Sequence, residues 1–194
     1  MARPIDLNKI ESIKKVTIQQ VVEKGYGGAS ISEIAKKASV SEGYLYNFYK
    51  GKEDLVNQLL FEAVGQLMDN LDQLLKEDKL NVRDIIENLI QYLFSLAFKE
   101  PEKIKFMFVL MHEYKFNVQT VQRKRIKKLC QLLRTKGTET GEIAPGTDEE
   151  VIYLSAVTLP IHYINLKFKN FFNTSGLTQS QAKKLVEVCL HSLI

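Results

Sequence analysis

This sequence predicts an all-α protein of about nine helices. Three observations carry that expectation. Apolar residues recur at intervals of three and four along nearly the whole chain, and alternating strand patterns are scarce. Hydroxyl residues are followed three positions later by a side chain able to reach back, at Ser30 with Glu33, Thr147 with Glu150 and Thr178 with Gln181; these are capping boxes, which open helices. Four prolines and ten glycines in 194 residues leave no room for a long flexible linker. The expected division is a small three-helix unit over 1–51 and a larger helical domain over 52–194.

The elements follow in order. Ile10, Ile13, Thr17, Gln20 and Val21 form the first helical stripe, and Gly25 behind Lys24 is its stop signal. Ser30 opens a second helix with Ile31, Ile34, Ala35 and Ala38 on one face. Ser41 caps a third, very short helix to about Tyr49. A long amphipathic helix runs from Lys52 to about Glu77 on Leu55, Leu59, Ala63, Leu67, Leu71 and Leu75. Asn81 to Lys99 is the next. Pro101 suits the first position of a helix to about Tyr114. A polar helix covers about Val118 to Thr138, and the loop TGEIAPGTDEE follows it. The helix started by Thr147 is apolar almost all round to Phe172, and Pro160, lacking an N–H, should kink it. Thr178 caps the last helix.

Residues 39–55, SVSEGYLYNFYKGKEDL, crowd three tyrosines and a phenylalanine among residues that prefer water. Two short helices joined by Ser39-Val40-Ser41 make a helix-turn-helix, with Val40 turned inward against Ile34, Ala35 and Leu45. The second helix must be anchored from inside by Leu45 and Tyr49. Its outward residues are then free to meet the major groove of double-stranded DNA. Glu42, Gly43, Tyr44 and Asn47 fall at its start or on its exposed face. Gly43 lets the backbone approach closely. Tyr46 and Lys52 can reach phosphates, and the Ser30 and Ser41 caps mark helix starts that favour anions. Arg3 is placed either to enter the minor groove as an arm or to stay solvated.

On these residues the chain resembles the TetR family of transcriptional regulators. The resemblance runs from about Ile10 to Leu60 and includes EKGY (23–26) and ASISEIAKKASVSEGYLYNFYKGKEDL (29–55) in their spacing. Beyond it only helix number, order and length agree. The resemblance implies a three-helix DNA-binding domain, a helical domain holding a small-molecule effector, and a homodimer made by the last two helices, over 151–172 and 179–194. It implies a bacterial repressor released from its operator by ligand. Three departures bear on the operator sequence. Ser39 stands where glycine is frequent, Glu42 where lysine or a neutral residue is, and Phe48 where histidine or tyrosine is.

The cluster KIKFMFVLMHEYKF (103–116) is the expected pocket material. Met107, Met111, His112 and Tyr114 are its candidates, with Tyr153, His162 and Tyr163 as polar groups and Phe94 and Phe98 as a wall. Each of these taken singly is first of all ordinary core, and the ligand expected is apolar or aromatic. The basic run QRKRIKKLCQLLRTK (122–136) spreads its charges over several helical faces. It is expected to be a solvated face around the stripe of Ile126, Leu129, Leu132 and Leu133. The net charge of +4 permits an anionic partner without requiring one.

Other classes find little support. His112-Glu113 begins a zinc motif, but Phe116 stands where the second histidine belongs. Neither GxSxG, a P-loop nor a glycine-rich dinucleotide turn occurs, so no enzyme, metal or cofactor is expected. Cys130 and Cys189 lie in apolar stripes as inert thiols. With no secretory signal, and an apolar run over 151–164 that is short and broken by Pro160 and His162, a cytoplasmic protein away from membranes is expected. The rival to a ligand-responsive regulator is a DNA-binding adaptor whose helical domain recruits a protein partner.

Overall fold

The computed structural model describes residues 6–77, 79–174 and 176–194; Arg3 lies outside them. Among the described residues there are nine helices and no strand, as the periodicity predicts. They are α1 (Leu7–Gly28), α2 (Ile31–Lys37), α3 (Glu42–Tyr46), α4 (Lys52–Lys76), α5 (Val82–Lys99), α6 (Pro101–Met111), α7 (Thr120–Thr140), α8 (Glu149–Phe168) and α9 (Gln179–His191).

The N-terminal unit forms as its caps dictate. Asp6 accepts the Asn8 N–H at 3.1 Å and starts α1. Gly25 leaves helical geometry at φ 73°, ψ 168°, a region that side chains exclude, so the regular helix stops behind Lys24. The Ser30 hydroxyl accepts the Glu33 N–H at 3.3 Å, but the capping box is only half made. The Glu33 carboxylate pairs with the Lys24 ammonium instead, a charged partner in place of a neutral N–H. Ser39 carries the tight turn with φ 57°. Ile34 and Leu45 are fully buried beneath it, and Ala35 nearly so.

In the larger domain α5 lies at the centre, touching α4, α6, α7, α8 and α9. Its start is held twice. Asn81 and Asp84 form a capping box that the sequence reading did not single out, and the Glu142 carboxylate accepts the N–H groups of Val82 and Arg83 at 3.1 and 3.2 Å. Further on, α6 ends at Met111 rather than near Tyr114, where the His112 ring bonds the Phe108 carbonyl at 2.7 Å. α1 packs on α6 and α4, which joins the N-terminal unit to the body.

Helix α8 differs from expectation at three points. Asp148, not Thr147, caps it, accepting the Val151 N–H at 2.8 Å; a carboxylate suits the positive end of a helix better than a hydroxyl. The chain meets Pro160 through a π-helical turn, Leu154–Thr158, in which the Leu159 N–H bonds the Leu154 carbonyl five residues back. The wider turn leaves room for a ring that would crowd a regular one. The helix stops at Phe168, and Asn170 and Asn173 turn left-handed just beyond. Phe171 and Phe172 are thereby left exposed. By length and composition α8 could cross a bilayer, but Ile152, Ile161 and Ile164 bind it into the core. Only 39% of its apolar window is buried, so its other face is uncovered in a single chain.

Candidate nucleic-acid interface and effector cavity

The helix-turn-helix divides its aromatics only in part as the spacing predicts: Tyr49 turns inward and Tyr46 outward, but Tyr44 turns inward as well. Leu45 is fully buried and Tyr49 almost so. Burying a leucine is worth about 1.5–3 kcal/mol, enough to hold a five-residue helix that has little stability of its own. Ser41 accepts the Tyr44 N–H at 3.1 Å and fixes the start of α3. The residues expected at the groove are placed unequally. Ser30, Ser41, Glu42, Gly43 and Asn47 are exposed, and Tyr46 keeps 55% of its surface. A methyl group built on Gly43 would meet only the Ser41 hydroxyl, at 4.0 Å, so the fold itself does not require a glycine there.

Tyr44 and Lys52 behave differently. Tyr44 packs tilted against Phe48, 5.2 Å between ring centres, and its hydroxyl is buried without a partner. It belongs to the inner layer more than to the outer face. Lys52 bonds the carbonyls of Tyr26 and Ala29 at 2.8 and 2.9 Å and lies 4.6 Å from the Tyr26 ring centre. Two of its three donors serve the chain end between α1 and α2, leaving one for a phosphate.

Within the body is an apolar cavity of about 90 Å³. Its walls come from α4 (Leu60, Val64, Leu67, Met68, Leu71), α5 and α6 (Leu89, Met107, Leu110, Met111), and from Val118, Ile126, Leu129, Cys130, Tyr153, Val157 and Ile161. Of the nine residues expected to line a pocket, Met107, Met111 and Tyr153 do so. The other six stand elsewhere. Phe94 stacks on Tyr163, 6.4 Å between centres. His112 and His162 lie together beside Phe108, 4.7 Å from each other. Burial, and next the charge of His112, hold the His162 imidazole below its ordinary range. Phe98 and Tyr114 are exposed, Tyr114 completely.

The α4 and α7 walls were missed because a leucine stripe looks the same whether it faces packed core or a void. Burial pushes the Cys130 thiol up to about 11 and that of Cys189 to about 12, so neither forms thiolate near neutrality. Most cations of the basic run are solvent-facing, as expected, although Leu132, assigned to the buried stripe, is 42% exposed. Phe116, in the place of a second zinc-motif histidine, is buried edge-on to Tyr26 at 5.4 Å.

A helix-turn-helix with its outer face free, carried on a helical body, has the architecture of a DNA-binding transcription regulator. Residues 13–59 match the family described as bacterial regulatory proteins, tetR family. The fold agrees over the whole chain. A TetR family transcription regulator from Marinobacter aquaeolei VT8 superposes with a TM-score of 0.77, covering 97% of this chain and 96% of that one at 17% identity. The regulator FadR from Bacillus subtilis, solved with stearoyl-CoA, gives 0.70 over 95% of this chain and 100% of that one at 20% identity. In sequence, the fatty acid metabolism regulator protein of Bacillus subtilis (strain 168) is 26% identical over 143 residues, 72% of this chain and 73% of that one. Residues 13–59 thus match the tetR family, and the chain as a whole shares the fold of regulators solved in that family.

Proposed function

We propose that the protein is a dimeric repressor released from its operator by a ligand with a long apolar chain, with an acyl-CoA as the first candidate. DNA binding falls to residues 1–51 and effector binding to 52–194. The observation that carries this reading is the apolar cavity along α4, because the same helix begins at the Lys52 contact with the N-terminal unit. Similarity to a regulator solved with stearoyl-CoA supports the ligand class.

At about 90 Å³ the cavity is far smaller than an ordinary ligand pocket of roughly 300–1,000 Å³. A long chain therefore has to spread its walls. Met68, Met107 and Met111 are suited to that, since thioether side chains repack at little cost. Spreading the walls moves α4, and the ligand favours the conformer whose two helix-turn-helix units no longer match half-sites about 34–36 Å apart. The cavity favours this reading over the adaptor, whose helical body needs no internal space.

Operator binding is tested on a duplex selected from a random pool, titrated against salt. The wild type binds it well above a scrambled duplex, with affinity falling steeply as salt rises. Gly43→Ala leaves the fold intact, its methyl coming no nearer to the protein than 4.0 Å from the Ser41 hydroxyl, and weakens operator binding at least tenfold by crowding the groove. Equal binding to both duplexes, unchanged by Gly43→Ala, would remove α3 from the interface.

A further inference from the structure

Two of the chain's three histidines meet although they lie on different helices. His112 closes α6 and His162 stands within α8, with ring centres 4.7 Å apart and ring planes tilted by 56°. The Phe108 ring backs both, 4.4 Å from His112 and 4.9 Å from His162. His162 therefore faces α6 and not the uncovered side of α8. The motif begun by His112-Glu113 lacks a second histidine at Phe116, and α8 brings one in from outside the motif.

Each ring is prepared to ligate a metal. Nδ1 of His112 lies 2.7 Å from the Phe108 carbonyl oxygen. A carbonyl only accepts, so Nδ1 carries the proton and Nε2 keeps a lone pair. A backbone carbonyl on the far nitrogen is a common way of orienting a ligating histidine. Burial, and next His112, keep the His162 imidazole neutral near pH 7, which is the ligating form. With zinc–nitrogen bonds of about 2.0–2.1 Å, two imidazoles on one tetrahedral ion stand about 5 Å apart between ring centres. The observed 4.7 Å is within reach of small ring rotations. His112 is exposed and His162 half-buried, so an ion enters directly from solvent. Lys169 is a nearby cation, 5.7 Å from the Phe108 ring centre, but it is exposed and can swing to water.

We infer that His112 and His162 together bind a divalent transition metal ion of the zinc and copper class, and that the ion staples α6 to α8 beside the cavity. Imidazole suits such ions, whereas magnesium and calcium take oxygen ligands. Among the described residues no third histidine, cysteine, aspartate or glutamate joins the pair, so water fills the remaining positions. Met111 and Ile161, the residues immediately before the two histidines, are both cavity walls. A metal bridge thus fixes the gap between two walls that a long apolar chain has to spread. Its consequence, that the ion opposes effector binding, rests on the acyl-ligand reading above; the site itself does not.

The test is calorimetric titration of the untagged protein with zinc, for wild type, His112→Gln, His162→Gln and His191→Gln, beside electron paramagnetic resonance of the wild type with copper(II). The wild type should bind one zinc per chain and no magnesium. His112→Gln and His162→Gln should each lose at least tenfold in zinc affinity. His191→Gln, on α9, should change it less than twofold. The copper spectrum should show coupling to two imidazole nitrogens, a signature that needs no variant. Zinc bound equally by wild type and both variants, or a copper spectrum with fewer than two nitrogens, would overturn the site. Saturating zinc should weaken palmitoyl-CoA binding at least threefold in the wild type and leave it unchanged in His112→Gln; an unchanged wild-type affinity would overturn the staple. A metal-free wild type that binds no palmitoyl-CoA would overturn the acyl-ligand reading, while the zinc titration still decides the site.

Discussion

The Lys52 ammonium stands 2.8 Å from the Tyr26 carbonyl oxygen, joining the first residue of α4 to the last turn of α1. A second bond to the Ala29 carbonyl, at 2.9 Å, and the Tyr26 ring beneath it complete the attachment. Tyr26 also packs edge to face with Phe116, from the segment that leads into the cavity at Val118. The N-terminal unit thus meets the helical body at the base of the helix that walls the cavity.

Lys52→Met should therefore cost stability more than it costs phosphate contacts. Losing two charge-assisted bonds is worth about 1–3 kcal/mol at this partly buried site, read as a lower urea midpoint. Operator affinity should fall with the lost alignment, but the slope of log affinity against log salt should stay as in wild type. A slope reduced by about one would instead assign Lys52 to a phosphate.

Ser39 holds the helix-turn-helix turn at φ 57°, where a side chain is crowded by its own backbone. Ser39→Gly should stabilise the protein by about 0.5–1 kcal/mol, the relieved strain exceeding the extra freedom of the unfolded chain. Thermal unfolding checks it, and an unchanged or lower melting temperature would mean the serine is not strained.

Glu142 gives a pH dependence of known sign. Burial opposes its ionisation, but the Val82 N–H, the Thr140 hydroxyl and the Arg83 N–H outweigh that and hold its carboxyl below the ordinary range. The stabilisation is complete above the unfolded value of about 4.3 and is lost as pH falls through the lower folded value. Glu142→Gln should be less stable than wild type at pH 7, and the gap should narrow toward pH 3.

Val188 on α9 is 55% exposed in the single chain, on an element we assign to the dimer together with α8. Val188→Glu should leave helicity and melting of the monomer nearly unchanged, since exposed positions tolerate substitution. It should convert a dimer to a monomer in sedimentation. A wild type that sediments as a monomer at micromolar concentration would exclude the proposed interface.

Much of this was legible in the sequence. Helix number and order follow from a periodicity that tertiary contacts had no need to override. The DNA-binding unit was legible because Ser30, Ser41, Leu45 and Tyr49 act through local caps and short-range burial. What escaped depends on distant partners. Nothing near Lys52 announces that it will reach carbonyls 23 and 26 residues back. Glu33 chose Lys24 over its own helix start, and Asp148 displaced Thr147 by one position. The cavity was the least legible feature. Leu67 and Leu71 repeat as any core stripe would, whereas Phe98 and Tyr114, more eye-catching in the sequence, point to solvent.

The central claim, that occupation of the helical body controls the DNA face, is tested most directly by operator anisotropy. The protein is bound to a fluorescent selected operator and titrated with palmitoyl-CoA, whose binding is followed separately by calorimetry. The account predicts that the operator is released over the same concentration range in which the acyl-CoA binds. Operator binding that persists unchanged while the acyl-CoA saturates the protein would contradict it.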